Sequence, residues 1–371
     1  MMTSDFDYNL PIKNIAQSPA EPRDSSRLMV VDKKNKTLEH KKFRDILEYV
    51  QPGDLLVWNN SKVFKARLKG EILLDQKADN LKDRKSTNKI LNLKPVEIFL
   101  LRPTENEGIW KVLAKPGRRL RLGMKINFAS DFSAEVLLKD TDGTVLLDFN
   151  DSDLNVRAKA NKYGEVPTPP YIKNINMTQE ELEGKYQTVY AKNEGSVAAP
   201  TAGFHFTPDL IAKLKDKGVE FAEVTLHVGL GTFQPVKTEK LENHKMHHEW
   251  VELTDKNAGL INDAKAEGRR IVAVGTTTVR TLEGIAQTIK KDKNEKRAVK
   301  PFQGDIDLFI IPGFNFRVVD ALITNFHLPK STLLMLVCAF AGDREFILKS
   351  YEEAVKDGYR FYSFGDAMII L

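Results

Sequence analysis

Residues 196–228 read SVAAPTAGFHFTPDLIAKLKDKGVEFAEVTLHV. Three elements follow one another in this stretch. Residues 196–207 are small and almost uncharged. Ala198, Ala199, Ala202 and Gly203 carry little or no side chain, which lets a ligand or another backbone approach closely. Pro200 fixes its own φ and pushes Ala199 towards extended geometry. Thr207-Pro208 then reads as an N-cap with proline at the first helical position. Leu210, Ile211 and Leu214 share one helical face, and Gly218 ends the helix. Residues 219–228 read as a strand. Loop, helix and strand in succession are one repeat of an α/β chain. The loop, with His205 between two phenylalanines, has the look of a ligand-contacting connection. A tightly packed core crossing with a satisfied buried histidine accounts for the same residues equally well.

The pattern extends outward from there. A short strand is expected at 28–31, a short amphipathic helix at 43–50 stopped by Gly53, and a buried strand at 54–58 that runs into Asn59-Asn60-Ser61. Polar residues at the carboxyl end of such a strand suit ligand contacts, or an Asx-type turn. Downstream, Thr254 caps a helix that Gly268 ends, and 270–274 is a buried strand. A helix is expected at 280–290, a charged surface loop at 290–300 and a strand at 307–311. Helices at 330–341 and 344–356 and closing strands at 359–361 and 367–370 complete the chain.

Between 62 and 150 the texture changes. Strand-like pieces recur at 66–74, 96–101, 110–114, 125–128, 134–138 and 145–149, separated by turn signals such as Lys115-Pro-Gly117. The lysine-rich run 77–94 reads as a loop between two of them. The fold class expected is an α/β main domain, a mixed sheet with flanking helices, formed by 1–61 and 155–371. A small all-β, barrel-like domain, 62–154, is inserted into it.

The 371 residues and their 42% hydrophobic content suffice for one large or two ordinary domains. No run approaches a membrane span, and the opening MMTSDFDY lacks the features of a signal peptide. The one cysteine, Cys338, sits in the apolar run LLMLVCAF and reads as a buried structural thiol. A soluble, cytoplasmic protein is expected. Net charge is +5, and residues 111–125 contain Lys111, Lys115, Arg118, Arg119, Arg121 and Lys125 without one acid. Such a stripe suits a surface that meets phosphates, although a solvated basic face has the same pattern.

His205 and His227 fall at the ends of expected neighbouring elements, where imidazoles can exchange protons near neutral pH. The cluster His244, His247, His248 and Glu249 invites a metal reading. The alternation in residues 250–253 and the absence of an H-E-x-x-H order favour a hydrogen-bonding cluster instead. Gly275-Thr-Thr-Thr-Val-Arg280 opens a helix after a buried strand, as an anion site would, with Arg280 as a further contact. Asn325 and His327 alternate with apolar neighbours in an extended segment. No G-x-x-x-x-G-K-[ST] and no G-x-G-x-x-G occurs.

Several blocks stand in order along nearly the whole chain, from Tyr8-Asn-Leu-Pro11 to Gly365-Asp-Ala-Met368: 53–66 (GDLLVWNNSKVFKA), 169–172 (PPYI), 186–190 (YQTVY), 197–206 (VAAPTAGFHF), 226–236 (LHVGLGTFQPV), 275–280 (GTTTVR) and 319–329 (VDALITNFHLP). Together they closely resemble the S-adenosylmethionine:tRNA ribosyltransferase-isomerase family, enzymes of bacterial queuosine synthesis. The resemblance implies transfer and isomerisation of the ribosyl part of S-adenosylmethionine onto 7-aminomethyl-7-deazaguanine at the tRNA wobble position. Epoxyqueuosine-tRNA, adenine and methionine would be the products. It implies S-adenosylmethionine as co-substrate, no metal, and tRNA as partner through its anticodon stem-loop; no membrane contact and a monomer are expected.

Carried onto this sequence, His205 and His227 are the candidates for base and acid, with His247 or Glu249 assisting. Asn59, Asn60, Pro200, Thr201, Ala202, Gly203, Gly275, Thr276, Thr277, Arg280, Asn325 and His327 are the candidate substrate contacts. Arg118, Arg119 and Arg121 are the candidate tRNA contacts. Ile306 stands where the family pattern leads one to expect threonine. A non-catalytic tRNA- or RNA-binding protein and a metal-dependent hydrolase using the cluster from His244 to Glu249 remain as alternatives.

Overall fold

Uninterrupted apolar runs such as LLVW, IVAV and ALIT make strands that are buried on both faces. The computed structural model describes residues 1–73, 95–141, 143–169, 171–172, 177–229, 238–244, 246, 248–289 and 297–371. The lysine-rich run 77–94 and His247 lie outside the described residues. The chain divides into two compact units, Met1–Lys62 with Pro169–Leu371, and Val63–Thr168.

The first unit opens with β1 (Arg27–Asp32), β2 (Thr37–Lys42), β3 (Leu55–Asn59) and the short β4 (Ser61–Val63), which leads out of it. The second unit holds β5 (Arg67–Leu73), β6 (Val96–Pro103), β7 (Ile109–Lys115), β8 (Lys125–Ala129), β9 (Phe132–Lys139), β10 (Val145–Asp148) and α1 (Asp153–Tyr163). The chain returns through α2 (Gln179–Lys185), β11 (Asn193–Ser196), α3 (Pro208–Asp216), β12 (Glu220–His227), β13 (Glu249–Leu253) and α4 (Asp255–Ala266). It closes with β14 (Ile271–Val274), α5 (Thr276–Thr288), β15 (Phe302–Ile306), β16 (Ala321–Asn325), α6 (Thr332–Ala341), α7 (Arg344–Lys356) and β17 (Ala367–Ile370).

Among the described residues the first unit carries a nine-stranded sheet in the order β15-β13-β12-β3-β14-β16-β17-β1-β2. Its centre, β12, β3, β14 and β16, is parallel, so the four carboxyl ends share one edge. The outer pairs β13/β15, β16/β17 and β1/β2 are antiparallel. One face packs on α5, α6 and α7, and α6 is buried from Leu334 to Ala341, as a helix apolar all round must be. The other face covers Phe206, Leu210 and Leu214 of the opening stretch. No helix among the described residues is long and apolar enough to cross a membrane.

The second unit is a closed antiparallel barrel, β10-β7-β6-β5-β8-β9. Its strands alternate buried and less buried residues, as Val96, Ile98 and Leu100 show against half-buried Glu97, Phe99 and Leu101 on β6. The expected strands are all present. The unit also runs further than the sequence suggests, to Thr168, because α1 joins it and places Val156 and Ala160 in its interior.

Some expectations change in the first unit. Residues 43–50 form a 3₁₀ helix, Phe43–Glu48, rather than an α-helix. Residues 307–311, where a strand is expected, join no ladder, and the paired strand is β15, opposite β13. Of 359–361, only Phe361 bridges, to Ile15. α2, β2 and β11 were not legible. Ile306, where a threonine is expected, fills an apolar cluster with Ala198, Leu226, Val228 and Val251.

Candidate active site

At the carboxyl edge of the sheet three segments converge. β14 runs into Gly275, whose φ of +88° turns the chain into α5 and whose N–H donates to Ile323 O at 2.8 Å. β16 ends at Asn325 and continues as Phe326-His327-Leu328. The loop after β11 is pinned by Ser196 Oγ, which donates to Ala198 O at 2.6 Å and accepts from Val228 N at 3.0 Å. It then turns through a 3₁₀ helix, Thr201–His205. A Cβ on Gly203 would sit 1.9 Å from Tyr190 Oη, and Tyr190 is stacked on Trp58 at 4.0 Å and cannot yield. Gly203 therefore serves close packing.

These segments enclose a cavity of about 250 Å³. Residues 198–202, Val228, residues 275–277 and residues 324–328 form much of its wall, with Tyr171, Tyr186, Tyr362 and Ser363 on another side. Two helix N-termini reach it: α5 through Thr276 and Thr277, and α6 through Ser331 and Leu333. Their partial positive charge favours a negative ligand group. The rest of the wall is mostly apolar or aromatic, with Thr201, Thr324, Asn325, His327 and Ser363 as its other polar members.

A buried polar chain stands behind this wall. Thr201 Oγ1 donates to Asn325 Oδ1 at 3.0 Å, and Asn325 Nδ2 lies 3.1 Å from His205 Nε2. His205 Nδ1 lies 2.8 Å from Ser26 Oγ. With its oxygen taken by Thr201, the amide points its NH₂ at Nε2, which must accept. The ring hydrogen therefore sits on Nδ1 and is donated to Ser26. Burial pushes the His205 pKa down to about 4; Asp366 opposes this shift, while Arg360 and Arg23 add to it. His205, expected to meet substrate, is not among the wall residues; Asn325, which its Nε2 faces, is.

The other candidates separate into two groups. His327 lines the cavity; its Nε2 lies 2.9 Å from Thr324 Oγ1, and burial pushes its pKa down to about 3. His227 stacks on Trp250 at 5.0 Å and leaves no room for a Cβ at Gly195. It precedes the wall residue Val228. Glu249 and Arg280 form a buried ion pair, and Arg280 Nε also donates to Leu308 O at 3.2 Å, so neither belongs to the wall. Asn59 is spent on the sheet, accepting from Leu226 N and donating to Leu226 O, and Asn60 joins Glu223 and Thr225. Both lie off the cavity.

Among the described residues, His244, His248 and Glu249 do not assemble as a ligand set. His244 instead meets Phe309 edge-on at 5.2 Å. In the barrel, Arg118, Arg119 and Arg121 are exposed on the connection between β7 and β8, and none pairs with a described acid.

Sequence reading missed the aromatic side of the cavity. Tyr171 and Tyr186 stood in two of the quoted blocks without an assigned task. Tyr362 had no signal, although its φ of +74° is uncommon for a bulky residue and marks a constrained wall.

Residues 3–370 match the model of the family described as queuosine biosynthesis protein. The chain belongs to this family. Proteins named S-adenosylmethionine:tRNA ribosyltransferase-isomerase from Thermotoga petrophila, Thermotoga maritima and a Sulfurihydrogenibium species are 52%, 51% and 48% identical to it, each over the full length of both chains. A solved structure, S-adenosylmethionine tRNA ribosyltransferase from Thermotoga maritima, covers 99% of this chain and 100% of its own, at 41% identity and a TM-score of 0.54. The fold is that of the queuosine biosynthesis family, a large mixed sheet with helices and a closed six-stranded barrel.

Proposed function

We propose that this member of the queuosine biosynthesis family transfers the ribosyl part of S-adenosylmethionine to the wobble base of a precursor-modified tRNA and isomerises it, releasing adenine and methionine. The observation that carries this reading is convergence. Six separate blocks of the family resemblance contribute to one cavity wall, through Tyr171, Tyr186, residues 198–202, Val228, residues 275–277 and residues 324–328. The relatives' name supplies the substrates and reaction type.

The chemistry asks for what this wall offers. A sulfonium acidifies the adjacent 5′ carbon, so a positioned base can take its proton, and a water-poor pocket keeps the intermediates from hydrolysis. The N-terminus of α5 suits the carboxylate of the methionine part, with Thr276 and Thr277 beside it. Pro200, Thr201, Ala202, Gly275, Asn325 and His327 are the remaining proposed contacts. Proton transfer is assigned to His227, one residue from the wall, with Glu249 on the paired strand β13 and His247 as the assisting candidates. His205 positions Asn325. Arg118, Arg119 and Arg121 meet tRNA phosphates. The proposal includes a cytoplasmic setting, where tRNA is met, a monomer that carries both cavity and basic barrel, and no metal.

The test is incubation with S-adenosylmethionine and either precursor-modified or unmodified tRNA. Adenine and methionine are expected only with the modified tRNA, and chelators should leave the rate unchanged. Binding of modified tRNA without adenine release would turn the reading into that of a non-catalytic RNA-binding protein.

A further inference from the structure

We infer that the Tyr186 hydroxyl is a substrate contact, donating a hydrogen bond to a ring nitrogen of the adenine of S-adenosylmethionine. The inference rests on the proposed function and deepens it. Tyr186 is 1% exposed and forms part of the cavity wall. Its Oη makes no hydrogen bond of proper geometry within the protein. The Ser363 hydroxyl, itself 2.6 Å from Tyr171 Oη, and the Ala199 backbone N–H lie near it; both favour the phenolate and so face the oxygen as donors, which leaves the Tyr186 O–H itself without an acceptor. A buried hydroxyl left unpaired costs free energy, which a ligand acceptor would recover.

The ring is held in place. It meets Phe204 edge-on at 5.7 Å and Phe364 edge-on at 6.0 Å, so the hydroxyl is a fixed donor and not a swinging one. Burial raises its pKa well above the usual phenol value, which keeps the proton on oxygen at any physiological pH.

The surroundings select the ligand group. Tyr171 and Tyr362 pack at 4.2 Å with their rings inclined by 32°, and with Tyr186 they give the cavity an aromatic side. The opposite chemistry, threonine hydroxyls and the N-terminus of α5, lies at residues 275–277. Of the parts of S-adenosylmethionine, only adenine is a flat ring with bare acceptor nitrogens, and only the methionine end carries a carboxylate. The substrate therefore lies with adenine on the tyrosines and carboxylate on α5. As the bond from adenine to ribose breaks, its electrons move onto the ring, and a donor at a ring nitrogen strengthens in the transition state.

Tyr186→Phe keeps the ring and removes the donor. Affinity for adenine and for S-adenosylmethionine is expected to fall about tenfold, and single-turnover adenine release about a hundredfold. The melting temperature should hold or rise, because no internal hydrogen bond is lost. Analogues of S-adenosylmethionine with one ring nitrogen replaced by C–H give a second measurement. One analogue should lose the same factor in the wild type and nothing further in Tyr186→Phe. Wild-type adenine affinity and release in Tyr186→Phe would overturn the inference, as would equal wild-type affinity for all the analogues. Were the variant to unfold, the analogues decide on the wild type alone. A variant impaired only for the tRNA base would also overturn it. The proposed function fails in a different way, by no adenine release from the wild type at all; adenine affinity in the two proteins still decides the role of Tyr186.

Discussion

At the scale of single residues, His205 stands one hydrogen bond behind the cavity wall. Its two ring nitrogens are engaged by Ser26 and Asn325, and its ring packs on Phe43 at 4.9 Å. A neutral Nε2 acceptor fixes which way the Asn325 amide faces, and that amide lines the cavity. Loss of the acceptor frees the amide to turn. His205→Ala is therefore expected to slow single-turnover adenine release by roughly a hundredfold, the low end of the scale for a lost proton-transfer group. The discriminating variant is His205→Gln, which offers an acceptor and a donor but cannot titrate near neutral pH. It should recover most of the rate and restore KM. Equal losses in both variants would show that proton exchange at His205 is required. Small residues and a proline mark the loop that carries His205, which is why the sequence draws attention to it. No pattern in it signals that Ser26, distant in the chain, occupies the other nitrogen.

At the scale of elements, legibility followed capping and periodicity. α3 runs Pro208–Asp216 and α7 runs Arg344–Lys356, both where N-caps and apolar spacing put them, because Thr207 and Asp343 accept from the N–H three residues on. β15 was missed because residues 307–311 are the more apolar run. Leu308, Phe309, Ile310 and Ile311 pack on the core, so burial shaped that run without a ladder, while F-Q-G-D-I carries the pairing to β13. α1 was missed because only Val156 and Ala160 are buried, too narrow a stripe to show a period. The barrel strands were legible from alternation, and the connection between β7 and β8 carries its basic residues as a group. Changing Arg118, Arg119 and Arg121 to Ala should weaken tRNA binding and flatten its dependence on salt by roughly one logarithmic unit of slope for each phosphate no longer neutralised. S-adenosylmethionine affinity should stay at the wild-type value. Titrations at several salt concentrations check this, and an unchanged slope would remove these residues from the tRNA surface.

At the scale of the whole molecule, the sheet with its inserted barrel was legible because texture changes sharply at the insertion and returns after it. The cavity was not, because its wall draws on segments from Tyr171 to Ser363 that only the sheet order brings together. Building a site behind a buried neutral histidine has a consequence for the stability of the whole fold. In the unfolded chain His205 titrates near 6.5; in the folded protein burial, Arg360 and Arg23 push it down to about 4 against the pull of Asp366. Between these values the unfolded chain holds a proton there and the folded one does not, so stability rises with pH across the window. The contribution is fully present above pH 6.5 and is lost as pH falls towards 4, at roughly 1.4 kcal/mol per pH unit and about 3 kcal/mol in all. His205→Gln has no such proton to gain. The stability difference between wild type and His205→Gln, measured by denaturant unfolding at a series of pH values, should be constant above pH 7 and shift in favour of the variant below 6.5. A difference that stays flat down to pH 4 would mean that His205 accepts a proton inside the fold, and that the amide of Asn325 turns to let it.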